Sequence, residues 1–195
     1  MSLWSLHYYR GSIKEDCMER MAEFEKVSYE QFKKDWVDTY SVNFREMDDE
    51  FVDSVVRNIY DSIELPERST MGSAGYDFKS PARFTVGIND SIKIPTGIRC
   101  KIDSGWVLQC YPRSSYGFKY GIKMVNTVPI IDSDYYYANN EGHIFIKLVN
   151  DSSIAKPLTI DKGNAFCQGV FVQYGITHND SADRVRHGGI GSTGK

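Results

Sequence analysis

The chain has 195 residues, 41% of them hydrophobic and 25% charged, a size and balance that suit one globular domain carrying an extension. A formal net charge of -3 leaves no basic stripe of the kind that coats a nucleic-acid backbone. No apolar run approaches the roughly 20 residues that cross a bilayer, and the polar, aromatic N-terminus lacks a signal-peptide core. A cytoplasmic protein without a nucleic-acid or membrane partner is therefore expected. Cys17, Cys100, Cys110 and Cys167 form no CxxC pair and have no histidine at ligand spacing, which points to reduced, buried thiols.

Residues up to about Ile63 read as helical. Ser28 with Gln31 three residues on has the form of a capping box, each side chain satisfying the other's free amide. Phe32, Trp36, Val37 and Tyr40 follow on one helical face. A second run of Phe51, Val52, Val55, Val56, Ile59 and Ile63 repeats that spacing behind the acidic Asp48-Asp49-Glu50, a favourable charge at a helix start. Leu65-Pro66 ends it, because proline cannot continue the ladder. The pattern divides the chain into an N-terminal helical extension, 1–64, and a β domain, 65–195. The extension is expected to pack its apolar face on the rest of the protein, since neither helix carries a polar constellation of its own.

From Leu65 onward short apolar runs alternate with turn formers. Ile92-Lys93-Ile94, Trp106-Val107-Leu108, Ile144-Phe145-Ile146 and Gly169-Val170-Phe171-Val172 read as strands, and Pro95-Thr96-Gly97 and Asp103-Ser104-Gly105 as turns. Many short strands with frequent turns imply a mainly β sandwich or barrel. Past His178 the apolar period is lost, and the chain closes on Gly188-Gly189-Ile190-Gly191-Ser192-Thr193-Gly194, a flexible arm over 178–195.

Five segments carry chemistry-bearing residues. Ala74-Gly75-Tyr76-Asp77 is a glycine-kinked turn presenting a carboxylate. Pro112-Arg113-Ser114-Ser115 offers a guanidinium and two hydroxyls to a phosphate at a strand end. Asn126 to Tyr135 joins an amide, the carboxylate of Asp132 and an aromatic in one hairpin-like unit. Gly163 to Phe171 embeds Gln168 in an apolar strand, where its amide needs partners. The glycine-serine-threonine tail has backbone amides able to wrap a phosphate.

In this order the five segments (AGYD, PRSS, the N-x5-D-x2-Y block, GNAFCQGVF and GGIGSTG) resemble the trimeric dUTPase family over Leu65 to Lys195. The resemblance implies a distorted β jelly roll or barrel, a homotrimer with sites shared between subunits, an arm that crosses to a neighbouring subunit, and Mg2+-dependent hydrolysis of dUTP. It assigns Asp132 as the base that activates water and Tyr135 as the residue stacked on deoxyribose, excluding a 2'-hydroxyl. Asn126, with the backbone through Ile130 and Ile131, matches the uracil-reading element. Arg113, Ser114, Ser115 and Gln168 match the phosphate site, and Asp77 the carboxylate that reaches Mg2+ through water. In the tail, Ile190 stands where the family places phenylalanine over the base, and Ser192 belongs to the phosphate wrap. Arg184 and Arg186 compete for the tail arginine, with Arg186 preferred. Tyr136 to Glu141 is an insertion beside the sugar pocket, bringing Tyr136 and Tyr137. The related dCTP deaminases share fold and trimer but carry a glutamate where this chain has Lys147; a charged lysine does not shuttle their proton. A trimeric nucleotide-binding regulator without catalysis is the alternative from another class.

Overall fold

A computed structural model describes residues 19–151 and 156–189. Its first element is a strand, β1 (Ala22–Lys26), lying inside the segment read as helical. The alternation Ala22-Glu23-Phe24-Glu25 is too short to mark β1 by itself; pairing with a β-domain strand, Phe24 opposite Cys100, makes it a strand. The helices follow as α1 (Tyr29–Thr39), the single turn α2 (Ser41–Phe44) and α3 (Asp49–Asp61). Ser28 caps α1 through its hydroxyl to the Gln31 amide, but the return bond is not made by Gln31. The Ser28 amide donates instead to Glu141, at 2.7 Å. Asp48 caps α3 by accepting from the Phe51 amide at 2.8 Å, consistent with the acidic start.

The β region comprises β2 (Glu67–Arg68), β3 (Tyr76–Lys79), β4 (Phe84–Val86), β5 (Ser91–Pro95), β6 (Ile98–Ile102) and β7 (Trp106–Pro112). A short helix α4 (Ser114–Tyr120) leads to β8 (Ile122–Met124) and β9 (Ile130–Ile131). A 3-10 turn over Ser133–Tyr137 precedes β10 (Phe145–Asn150), β11 (Leu158–Ile160) and β12 (Ala165–Gln173). All pairings are antiparallel. The largest sheet has the order β2-β3-β12-β7-β9, a second is β5-β10-β8, and β11-β4 and β1-β6 form two ribbons. This mainly β, jelly-roll-like arrangement agrees with the short strands and turns of the sequence.

One apolar cluster joins the two textures. Phe32, Trp36, Val52 and Val56 from the helices are buried in the same cluster as Ile94, Ile98, Ile146 and Phe166. Each such side chain contributes about 1.5–3 kcal/mol by leaving water. Polar ties reinforce the seam: the Tyr40 hydroxyl donates to the Lys93 carbonyl at 2.7 Å, and the Val27 amide to the Gly97 carbonyl at 3.0 Å. Cys100, Cys110 and Cys167 are buried and free, and burial pushes the Cys100 and Cys167 thiols up; Cys17 lies outside the described residues. Among the described residues no helix is long and apolar enough to cross a membrane.

Candidate active site

Strand register assembles the first group of site residues. Asp77 on β3 stands opposite Gln168 on β12, and Gln168 stands opposite Tyr111 on β7. β7 ends at Pro112, which has no amide to extend the ladder, and the chain turns there into α4. Asp77, Arg113, Ser114, Ser115 and Gln168 thereby line one cavity of about 510 Å3. Arg113 Nε lies 3.6 Å from Asp77 Oδ1, and the Ser69 hydroxyl donates to Asp77 Oδ2 at 2.8 Å. The Asp77 side chain is 14% exposed, accessible yet largely shielded. Gly75 has a steric reason to be glycine: a Cβ there would stand 2.6 Å from Gln168 Oε1, closer than non-bonded atoms approach. A guanidinium, hydroxyls and an amide suit the oxygens of a phosphate chain. A single carboxylate beside them suits a hard cation that keeps most of its waters. Among the described residues no group of three His, Cys, Asp or Glu side chains forms a protein-only metal site.

The second group departs from its expected form. Asn126 to Tyr135 is not a hairpin, because β8 pairs with β10 and β9 with β7. The segment is a crossover between two sheets, with Thr127 at φ 63° and the Val128 amide donating to the Asn126 carbonyl at 2.7 Å. Asn126 and Ile130 are exposed, Ile131 is buried, and Asp132 follows with its side chain 48% exposed. Tyr135 is buried. Its hydroxyl donates to the His143 carbonyl at 2.7 Å and accepts from Asn140 Nδ2 at 2.8 Å. Burial pushes its phenol up, partly opposed by the Asn140 bond.

The arm separates the two tail arginines. Arg186 donates through Nη2 to Asp132 Oδ2 at 3.1 Å, lies 3.5 Å from Asp134 Oδ1, and faces the Tyr135 ring at 5.5 Å. Arg184 is exposed. The resemblance implied an arm reaching a neighbouring subunit. Its described part lies on its own chain, where the Asn139 amide also donates to the His187 carbonyl. Ile190 and Ser192 lie outside the described residues.

Within one chain the two groups do not meet. No residue from Asn126 to Tyr135 lines the Asp77–Arg113 cavity. β9 runs antiparallel to β7 with Ile131 opposite Leu108, so Asp132 is carried toward Val107 and away from Arg113. At about 3.3 Å per strand residue, that leaves roughly 20 Å between them along β7.

The insertion Tyr136–Glu141 is gripped by the N-terminal segment. The Tyr136 hydroxyl donates to Glu25 at 3.0 Å, the Ser28 hydroxyl donates to Glu141 Oε1 at 2.6 Å, and Asp35 on α1 meets His143 at 2.6 Å. Burial opposes ionisation of Glu25, but Arg99 and the Tyr136 hydroxyl outweigh it and hold its carboxyl below the usual range. Several of these partners escaped sequence reasoning. Asp134 and Ser69 carried no signal beyond proximity to Asp132 and Asp77. Asp35 did carry one: it sits between Phe32 and Trp36 on the apolar helical face. Lys147, at the position of the deaminase glutamate, is exposed on β10.

Comparison with known proteins follows the same outline. A family model described as dUTPase matches residues 61–194. The chain is 38% identical over 135 residues to the deoxyuridine 5'-triphosphate nucleotidohydrolase of Lactococcus lactis subsp. lactis (strain IL1403), covering 68% of this chain and 89% of that protein. It is 32% identical to the enzyme of the same name from Dictyoglomus turgidum, covering 72% and 97%. The crystal structure of dUTPase from Streptococcus mutans superposes with a TM-score of 0.53 at 35% identity, over 59% of this chain and 89% of that one. The dUTPase from phage phi11 of S. aureus matches in fold at 19% identity, with a TM-score of 0.53 over 66% and 94%.

Proposed function

The chain belongs to the dUTPase family, and on that premise we propose that it hydrolyses dUTP to dUMP and pyrophosphate, with Asp132 as the base that activates the attacking water. The observation that carries the reading is the convergence of Arg113, Ser114, Ser115, Gln168 and Asp77 on one cavity, a donor set matched to a triphosphate and its cation. Arg113 and the two hydroxyls hold phosphate oxygens, and the Gln168 amide supports them from the strand. Asp77 fits Mg2+ held chiefly by triphosphate oxygens and water, since its carboxylate is the one hard anionic donor on that wall. When bound, Mg2+ neutralises charge on the triphosphate.

Asp132 is half exposed, and with Oδ2 accepting from Arg186 its other oxygen, Oδ1, is the one left to take a proton from water. The water oxygen bonds to the α-phosphorus, the bond from that phosphorus to the bridging oxygen breaks, and pyrophosphate leaves with the electron pair. Asn126 and the loop through Ile130 and Ile131 read the edge of uracil. The Tyr135 ring stacks on deoxyribose and leaves no room for a 2'-hydroxyl. Ile190 caps the base, and Arg186 and Ser192 of the arm close on the phosphates.

The separation between Asp132 and Arg113 gives this reading a geometric consequence. A base cannot act on a phosphate held roughly 20 Å away, so a second copy must bring its Asp132 to the first copy's cavity. A homotrimer with shared sites meets that requirement. Measuring pyrophosphate released from dUTP against ammonia released from dCTP, with Mg2+, tests the whole reading. Pyrophosphate from dUTP is expected. Ammonia from dCTP would make the protein a deaminase, and turnover of neither would make it a binding protein.

A further inference from the structure

We infer that Asp35 of α1 is a positioning residue for Tyr135, acting through His143, and that the N-terminal extension thereby sets discrimination against a 2'-hydroxyl. The inference rests on the sugar-facing role proposed for Tyr135.

The chain of contacts is continuous and each link is fixed. The Gly97 amide donates to His143 Nε2 at 2.8 Å, so that nitrogen carries a lone pair and the ring proton sits on Nδ1. Nδ1–H donates to Asp35 Oδ2 at 2.6 Å, and the same oxygen accepts from Gln31 Nε2 at 2.8 Å. His143 is 0% exposed, with no water to replace either partner. Its ring is therefore held from both sides, by a β-domain amide and by an N-terminal carboxylate.

The backbone at His143 is equally constrained. Gly142 before it has φ +69°, and a Cβ there would stand 2.7 Å from Tyr136 Cα and 2.8 Å from the Tyr135 carbonyl. The His143 carbonyl then accepts from the Tyr135 hydroxyl at 2.7 Å. The ring, held at both nitrogens and enclosed, anchors the His143 backbone, whose carbonyl is the sole hydrogen-bond acceptor that the Tyr135 hydroxyl uses among the described residues.

Asp35 occupies a position where stability alone favours an apolar residue. It lies on the buried face between Phe32 and Trp36, and a buried carboxylate recovers its desolvation only through close partners. Its partners are the histidine that seats Tyr135 and a glutamine of its own helix. Glu25 on Tyr136 and Ser28 on Glu141 grip the insertion just ahead of that link. The extension and the insertion thus form one brace that ends on the Asp35–His143 pair.

Selectivity separates positioning from mere stability, because the ratio of kcat/KM for dUTP to that for UTP does not depend on how much enzyme is folded. Asp35→Ala is expected to lower this ratio about tenfold while kcat for dUTP stays within about threefold, the sterically excluded sugar gaining room. Asp35→Asn keeps an acceptor for Nδ1–H and should retain the wild-type ratio within about twofold. Tyr135→Phe removes the hydroxyl link directly and should lower the ratio without help from Asp35. Combined with Asp35→Ala it should add little, since both break one chain. An unchanged ratio in Asp35→Ala, or in Tyr135→Phe should the former not fold, overturns the inference. Tyr135→Ala keeps the two readings apart. If it lowers the ratio while Asp35→Ala does not, only the Asp35 relay falls. If it too leaves the ratio unchanged, the sugar role of Tyr135 falls as well.

Discussion

Arg186 and Asp132 are joined by a hydrogen bond of 3.1 Å although 54 residues separate them in sequence. The pair ties the arm to the carboxylate proposed as the base. Asp132 is half exposed, so the ion pair contributes at most about 1 kcal/mol to stability, and its proposed role is to hold the arm's cation beside the point of attack.

Asp132→Asn should therefore separate folding from chemistry. The amide keeps the shape and can still accept from Arg186, but it cannot take a proton from water. Turnover of dUTP is expected to fall by about a hundredfold or more. The melting temperature should stay within about 3 °C, as less than 1 kcal/mol is at stake. Retained turnover in a steady-state assay would remove Asp132 from the role of base.

Truncation before Arg186 probes the arm. The described residues beyond Gln173 form no helix or strand, and their backbone ties are single bonds, such as Tyr174 to Gly105 and Asn139 to His187. Losing residues 186–195 should lower dUTP turnover at least tenfold with little change in melting temperature, if the segment acts, as proposed, in closure over substrate. A large loss of stability with unchanged turnover would make the arm a structural strap.

Gly75→Ala tests the wall of the phosphate cavity. The added methyl would meet Gln168 Oε1 at 2.6 Å, and the flexible amide, not the backbone, is what yields. Stability should fall by roughly 1 kcal/mol, while the amide leaves the position from which it supports the phosphates. A KM for dUTP raised about tenfold, with the fold intact by circular dichroism, is the expected result. Unchanged kinetics would show that Gln168 is dispensable to the site.

Legibility in the sequence followed locality. Strands such as Trp106–Leu108 and the acidic cap of α3 could be read because their determinants lie within a few residues. β1 could not, since its state is decided by Cys100 and neighbours some 75 residues away, and the alternation of Ala22-Glu23-Phe24-Glu25 is too short to stand out from the charged residues around it. The site residues stood out only as an ordered set; single motifs such as Arg113-Ser114 look like solvated turns. What the sequence hid was connection between distant segments. The Asn126–Tyr135 crossover looks like a hairpin until β10 and β7 claim its flanking strands. Glu141 completes the α1 cap that Gln31 was expected to complete, because a tertiary carboxylate outcompetes a local amide for the Ser28 N–H.

The Asp35–His143 pair makes acid stability a prediction with a definite sign. Burial lowers the His143 pKa below its ordinary 6.5, and Asp35 only partly opposes this. The folded state thus prefers the neutral ring, so its contribution is complete above pH 6.5 and is lost as pH falls through the depressed folded value. Burial raises the Asp35 carboxyl, but the His143 and Gln31 bonds outweigh it and hold it below 3.8. Its contribution survives above that pH and disappears only in stronger acid. The charged groups acting on the histidine are Asp35 from α1, Glu141 from the insertion and Lys93 from β5; the carboxylates favour its protonation and the lysine opposes it. Wild-type protein should therefore lose melting temperature steadily from pH 6.5 to 5, and His143→Asn, though less stable overall, should show a flatter profile across that window. Parallel profiles for the two proteins would show that His143 does not carry the acid dependence.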